Sequence, residues 1–410
     1  MRILVDVYDP TGSTRLGAGP VLTCTSATVR RRLDGAGSLS LSGSLTDPRA
    51  GDLLQPERQV RVWIDAPEGM RDFARGIILE VRRNINARTF ELSIDCADVL
   101  DALVRRTVRN GRQYVNQTIS SIATNLMALV PGWTASVESG IAANLHSARF
   151  TGTNVLKALL RLAEERGYHL RSGAAANTVE LGAFGTDSGL TFTNLQGAGQ
   201  GILGNTDLVL IESLDVAESS RTVGNWISGY GAGEGEAALT LNRSTRTTPY
   251  TINTVTDDGR TLYYLQDAAS IAAFGQKEKV VVFKNIAPVT NTATAKTAAA
   301  NALYDAMVAW LQRNKDTITS YRVRGVKIDR TIRPGDKIRL WYQGMVQRDG
   351  VDYTYLDVND LFWVLEVSET ADANGVAVDL VITGRCRRGG GRRDRGHSSS
   401  VSLHQDLSIL

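Results

Sequence analysis

The sequence predicts a mainly β protein of the α+β class, and three observations carry that prediction. Short runs of alternating or β-branched apolar residues, closed by turn dipeptides, fill the first hundred residues and return over residues 318–386. Helical periodicity interrupts this β pattern in blocks instead of alternating with it strand by strand. At 410 residues the chain exceeds one ordinary hydrophobic core. The expectation is an early and a late β-barrel, each with an α-containing insertion beside it.

The elements follow in order. Strand-like segments cover Ile3 to Tyr8, Thr23 to Arg31, Gly37 to Gly43, Gln59 to Asp65, Ala74 to Arg83 and Thr89 to Cys96. Asp-Gly, Asp-Pro and Ala-Pro turns separate them, so residues 1–104 read as the first barrel. Residues 105–204 read as an α/β insert. Ile119, Ile122, Ala123, Leu126 and Leu129 recur at helical spacing until Pro131-Gly132, and Val155, Leu156, Leu159, Leu160 and Ala163 repeat the pattern. Asn154 or Thr153 is a plausible N-cap there and Gly167 a stop. Tyr168 to Arg171 and Thr178 to Leu181 suggest a hairpin. Residues 205–250 read as return strands that begin the second barrel. Residues 251–317 read as mixed, with a hairpin around Asp257-Asp258-Gly259 and an Ala-rich helix from Ala293 to Gln312. The second barrel spans 318–386, with strands at Thr319 to Ile328, Lys337 to Tyr342, Tyr353 to Leu356, Phe362 to Ser368 and Val376 to Thr383. Residues 387–410 read as an Arg/Gly arm ending in a short apolar peptide.

Composition narrows the function. The 46 basic and 43 acidic residues leave a net charge of +3, which argues against a dedicated nucleic-acid binder. Cys24, Cys96 and Cys386 are too few and too scattered for a disulfide framework or a metal knuckle. The N-terminal MRILVDVYDP reads as a strand from its first residues, without the apolar core of a signal peptide, and nothing predicts membrane anchoring.

No catalytic, cofactor-binding or metal-binding residue is nominated. His146, His169, His397 and His404 do not pair at metal-ligand spacing, and His169 at a strand start reads as structural. Asp47, Asp257, Asp258 and Asp336 sit in turn contexts. Gly199, Gly201 and Gly204 match a GxGxxG spacing, but a strand follows where a phosphate site needs a helix. Gly231, Gly233 and Gly235 lack the spacing altogether. Both runs read as hinges. Arg30, Arg31, Arg32, Arg82 and Arg83 fall at strand ends; they suit solvated ends and ion pairs, or an interface or channel lining. Leu403, Leu407 and Leu410 would share one helical face, which makes them candidates for docking on a partner.

Several segments resemble the hub proteins of bacteriophage tails, both the hub region of siphophage tail-associated proteins and the baseplate hubs of contractile tails. Ala27-Thr-Val-Arg-Arg-Arg-Leu-Asp-Gly-Ala-Gly-Ser-Leu-Ser-Leu-Ser, then Asp47-Pro-Arg-Ala, Val60-Arg-Val-Trp-Ile and Gly76-Ile-Ile, is similar to the family's opening. Leu92 to Leu103, with Arg106 and Tyr114 beyond, is a second similarity. Gln266-Asp-Ala-Ala-Ser-Ile-Ala-Ala-Phe-Gly-Gln-Lys-Glu is a third, and Arg333-Pro-Gly-Asp-Lys-Ile-Arg-Leu a fourth. The resemblance implies two tail-tube-like β-barrels with two peripheral α/β insert domains. It implies a homotrimer forming a pseudo-sixfold ring at the distal tail of the virion. Its partners would be the distal tail or tail tube protein, the tape measure protein and a central fibre or spike, with transient contact to genomic DNA. No cofactor is implied. The competing expectations are a tail-associated cell-wall hydrolase, which would need a positioned nucleophile or metal, and a carbohydrate-binding adhesin, which the 6% aromatic content supports weakly.

Overall fold

The computed structural model describes residues 1–66, 69–86, 90–194, 207–326, 331–348 and 351–384. The chain opens with β1 (Ile3–Tyr8), β2 (Arg15–Val21), β3 (Cys24–Arg32), β4 (Ser38–Ser44), α1 (Pro48–Leu53), β5 (Gln59–Ala66), β6 (Gly69–Ile85) and β7 (Phe90–Asp98). Next come α2 (Asp101–Val104), β8 (Arg112–Thr118), α3 (Ile119–Met127), β9 (Thr134–Val137), α4 (Ser139–Ala142), β10 (Leu145–Phe150), α5 (Val155–Glu164), β11 (His169–Ser172) and β12 (Thr178–Gly182). They are followed by β13 (Asp187–Thr193), β14 (Leu208–Ser219), β15 (Trp226–Tyr230), β16 (Asn253–Asp257), β17 (Arg260–Gln266), α6 (Ala268–Phe274) and β18 (Glu278–Val282). The last are α7 (Ala293–Asn314), β19 (Ile318–Val326), β20 (Lys337–Arg348), β21 (Val351–Asp372) and β22 (Gly375–Thr383).

The chain divides into two compact units, each built from separated segments. The first gathers Met1–Ala102, Gly185–Val216 and Tyr321–Ile382; the second gathers Leu103–Phe184, Ala217–Ser320 and Thr383–Leu410.

The protein is mainly β, and its largest sheet has thirteen strands in the order β2-β1-β5-β6-β7-β4-β3-β21-β20-β13-β14-β19-β22. β21 also pairs with β22, so the pairing path β21-β20-β13-β14-β19-β22 returns to its starting strand. Alternation explains the first strands. In β1, Ile3, Val5 and Val7 are buried while Leu4, Asp6 and Tyr8 are half-covered, the period of two expected of a sheet with one face on a core. That core joins Val5, Leu41, Val62, Ile64, Ile78 and Ile94. A second cluster, with Phe192, Val323, Ile338, Leu340, Val364 and Leu380, fills the later strands. Gly37 lets β3 and β4 approach: a Cβ there would lie 1.9 Å from the Arg30 carbonyl oxygen.

Cys24 and Cys96 lie in the first core. Burial pushes the Cys24 thiol up to about 11, and burial, with lesser contributions from Asp95 and Cys24, pushes Cys96 up to about 12. The thiolate is the reactive form, so at pH 8 roughly one Cys24 in a thousand is ionised. In a Cys386→Ser background we expect no thiol to titrate with an aromatic disulfide reagent at pH 8 in the native state, and two to titrate in denaturant. Two fast thiols in native protein would contradict the closed core.

In the second unit α3 and α5 bury one face each, with Ile119, Ile122 and Leu126 on α3 and Val155, Leu159 and Leu162 on α5. Asn154, one of the two residues the sequence offers as N-cap, caps α5, and Thr118 caps α3. Thr118 accepts from the Ser121 N–H at 3.2 Å and Asn154 from the Lys157 N–H at 2.7 Å. Gly167, at φ +72°, ends the turn after α5 as a left-handed residue. β11 and β12 form the expected antiparallel pair. A four-stranded sheet has the order β16-β17-β15-β18. α7 packs against it through Leu303, Tyr304, Met307 and Leu311, which share a core with Ile227, Leu265 and Val281. Gly229 permits that approach, since a Cβ there would meet the Met307 sulfur at 2.3 Å.

Candidate functional site: the arginine–glutamate seam

The Arg30-Arg31-Arg32 run lies on β3, which pairs antiparallel with β21 in the register Arg32↔Glu366, Arg31↔Val367 and Arg30↔Ser368. Successive residues of a strand point to opposite faces. Arg30 and Arg32 therefore share one face with Glu366, while Arg31 shares the other with Glu369. Arg30 forms a two-pronged pair with Glu366, its Nε 2.6 Å from Oε1 and its Nη2 2.8 Å from Oε2. The Nε of Arg32 donates to the same carboxylate at 2.9 Å. On the opposite face Arg31 pairs with Glu369 and donates to the Phe73 carbonyl. Arg71 completes the group, its Nη2 2.7 Å from Glu369 Oε1. The Glu369 side chain is 1% exposed, so its charge is held by two guanidinium groups and not by water. Thr28 and Thr370 bond across the same strand pair at 3.1 Å. The seam thus binds β3 to β21, more than 330 residues apart in sequence.

The other two candidate arginines behave differently. Arg82 is 66% exposed and pairs with Glu80 at 2.8 Å. Arg83 donates to the Gly51 carbonyl at 3.1 Å and the Leu54 carbonyl at 3.4 Å. Arg58 reaches the neighbouring Leu53 carbonyl at 2.9 Å. Together they satisfy the carbonyls that a helix leaves open at its C-terminal end, here that of α1. Leu403, Leu407 and Leu410 lie outside the described residues, as do Gly199, Gly201, Gly204 and Cys386. Of the other Gly-rich run, the Gly231 and Ala232 amides already donate, to Leu239 and Ile286 carbonyls, both at 2.8 Å.

Two buried polar clusters in the second unit escaped the sequence reading. In one, His146 Nε2 lies 2.9 Å from Glu165 Oε2, and Asn285 donates to the other oxygen of Glu165. All three are nearly inaccessible, and they tie β10 and α5 to the segment after β18. In the other, Asp267 caps α6, accepting from the Ser270 N–H at 2.9 Å, the Tyr250 hydroxyl at 3.0 Å and Lys315 Nζ at 2.5 Å. Asn225 donates to Ser270 Oγ at 3.1 Å and to the Gly275 carbonyl at 2.8 Å, and accepts from the Lys277 N–H at 2.7 Å. Burial works against the Asp267 carboxylate. The Lys315 bond and charge and the Ser270 and Tyr250 donors outweigh it, and hold the carboxyl below the usual value of 3.8. The Asp267-x-x-Ser270-Ile271 to Gly275 run is therefore a helix with its cap at each end; Gly275, at φ +72°, closes it. Among the described residues, no group of three or more His, Cys, Asp or Glu side chains is placed to hold a metal ion. No helix there is long and apolar enough to cross a membrane.

No family profile and no curated protein matches the chain. Solved structures do. The 43 kDa tail protein of prophage MuSo2 from Shewanella oneidensis superimposes with a TM-score of 0.57 at 14% identity, covering 93% of this chain and 97% of that one. A tail protein from Neisseria meningitidis gives 0.57 at 13% identity over 93% and 96%. Prophage tail protein gp18 from Listeria monocytogenes gives 0.53 at 9% identity over 92% and 94%. This chain has the fold of phage tail proteins. The likeness runs nearly end to end in both partners, so it covers both compact units and not one shared module.

Proposed function

We propose that this chain is a structural, non-enzymatic component of a phage or prophage tail, and specifically the hub at its distal tip. The observation that carries the reading is the end-to-end likeness of fold to prophage tail proteins. In this reading residues 1–104 and the later strands form two tail-tube-like barrels, and the helical segments are peripheral inserts. Two features support it: the strand path that returns to β21, and the separate cores of the early and late strands. Three chains then place six barrels in one ring, joining a tail tube or distal-tail ring to a central fibre or spike around the DNA channel. The seam fits such a part, because a ring element that carries load gains from two barrels fused by paired strands and buried ion pairs. Arg82 is the candidate for a contact with a neighbouring subunit or with passing DNA, since its guanidinium stands at the surface.

Solution mass and negative-stain imaging test the reading. A species of about three times 44.4 kDa that forms a threefold ring with a central opening is the expected result. A protein that stays monomeric at micromolar concentration and is absent from the axis of assembled tail tips would overturn it.

A further inference from the structure

β18 forms one outer edge of the four-stranded sheet, and among the described residues its single strand partner is β15. The pairing is parallel, with Trp226↔Glu278, Ser228↔Val280 and Tyr230↔Val282. The Trp226 N–H bonds the Lys277 carbonyl and the Phe283 N–H bonds the Tyr230 carbonyl. Odd-numbered residues of β18 thus turn their amides toward β15, and the N–H and C=O groups of Glu278, Val280 and Val282 point away from the sheet. Val280 is 67% exposed and Val282 44% exposed, while Val281 between them is buried under α7. Open, apolar, β-branched edges are templates for a further strand, and proteins ordinarily blunt them. Two other outer edges, those of β2 and β16, are blunted. β2 carries two glycines and a proline, and β16 presents Thr254, Thr256 and Asp257 around one valine.

We propose that residues 401–410 of this same chain dock as an added strand on the outer edge of β18. The segment reads Val-Ser-Leu-His-Gln-Asp-Leu-Ser-Ile-Leu. At a period of two, Val401, Leu403, Leu407 and Ile409 share one face with Gln405, against Ser402, His404, Asp406, Ser408 and Leu410 on the other. The helical alignment of Leu403, Leu407 and Leu410 leaves Val401 and Ile409 off the stripe, and ten residues are too few to hold a helix unaided. Strand addition uses the outward amides and carbonyls of β18 for affinity, and sets the apolar face beside Val280 and Val282. Reach permits it in one chain. β22 ends at Thr383, whose hydroxyl bonds the Thr319 carbonyl. Thr319 follows within five residues of the end of α7, the helix that covers β15 and Val281. The 17 residues from 384 to 400 span up to about 56–61 Å when extended. Tethering also keeps the local concentration of the segment high without a second molecule.

Hydrogen–deuterium exchange on the full-length chain tests the proposal. The amides of Glu278, Val280 and Val282 are expected to be protected in the unaltered protein. In full-length protein carrying Leu403→Asp and Leu407→Asp, they should exchange at least tenfold faster, with the α7 amides unchanged. Val280→Lys, a surface change, should release the segment to the same extent, read as faster exchange at 401–410. Protection of β18 that survives Leu403→Asp/Leu407→Asp would overturn the proposal. So would protection that disappears on dilution to nanomolar concentration, which would assign the edge to a second copy.

Discussion

Glu369→Ala is expected to destabilise the first unit by about 3–5 kcal/mol. The carboxylate is 1% exposed and accepts from both Arg31 and Arg71, whose side chains are 18% and 16% exposed. Removing it leaves two guanidinium charges facing one another in a site that water barely reaches. The loss is expected as a fall in the urea midpoint with little change in slope. Glu369→Gln should recover part of it, because the amide keeps one acceptor for one arginine while the charge is lost. Glu366→Ala is expected to cost less, since Arg30 and Arg32 are 40% and 34% exposed and regain solvent. Equal losses at the two positions would mean that burial does not set the strength of the seam.

The second large effect is expected at Asp267. Asp267→Ala should cost about 2–4 kcal/mol, because it removes the α6 cap and strands Lys315 and Tyr250 together. The acid sensitivity has a definite sign. The folded-state carboxyl titrates below the usual value of 3.8, so the native state binds fewer protons than the unfolded chain in that range. Its stabilisation is complete above the unfolded value and is lost as pH falls through the lower folded value. Urea midpoints between pH 7 and pH 3 should therefore drop less steeply in Asp267→Asn than in the unaltered chain. Parallel curves would show that Asp267 carries no part of the acid response.

Much of the fold was legible because the local signals agree with the tertiary answer. β1 was bounded to the residue by its alternation, and the caps at Asn154 and Gly167 fixed α5. The failures are equally specific. Tyr353 to Leu356 and Phe362 to Ser368 read as two strands with the polar residues Asp357, Asn359 and Asp360 between them. They are one strand, β21. Gln343, Trp341 and Leu340 of β20 pair opposite these three residues, and Arg339 donates to Asn359 at 3.0 Å, so cross-strand partners override local preference. β13, with Asp187-Ser-Gly at its start, lacks an apolar run of its own; it is a strand because β14 and β20 flank it in parallel. At the seam the sequence marked the arginines but not their partners. Glu366 and Glu369 sit in an ordinary strand more than 330 residues away, and nothing local announces that two carboxylates there face three arginines. The Asp267 cluster was visible only as a string of similar residues, and its capping role appears once Asn225 and Lys315 are seen to converge on it.

The first unit is assembled from three stretches of chain, and β3 finds β21 only across that long separation. At about 5–20 residues per second, a ribosome takes roughly 15–70 s to make the intervening chain. Throughout that interval β3 has β4 on one side and no β21 on the other. Until β21 emerges, the three arginines lie on that nascent edge without the two glutamates that neutralise them, and charge on an open strand edge disfavours pairing with another strand.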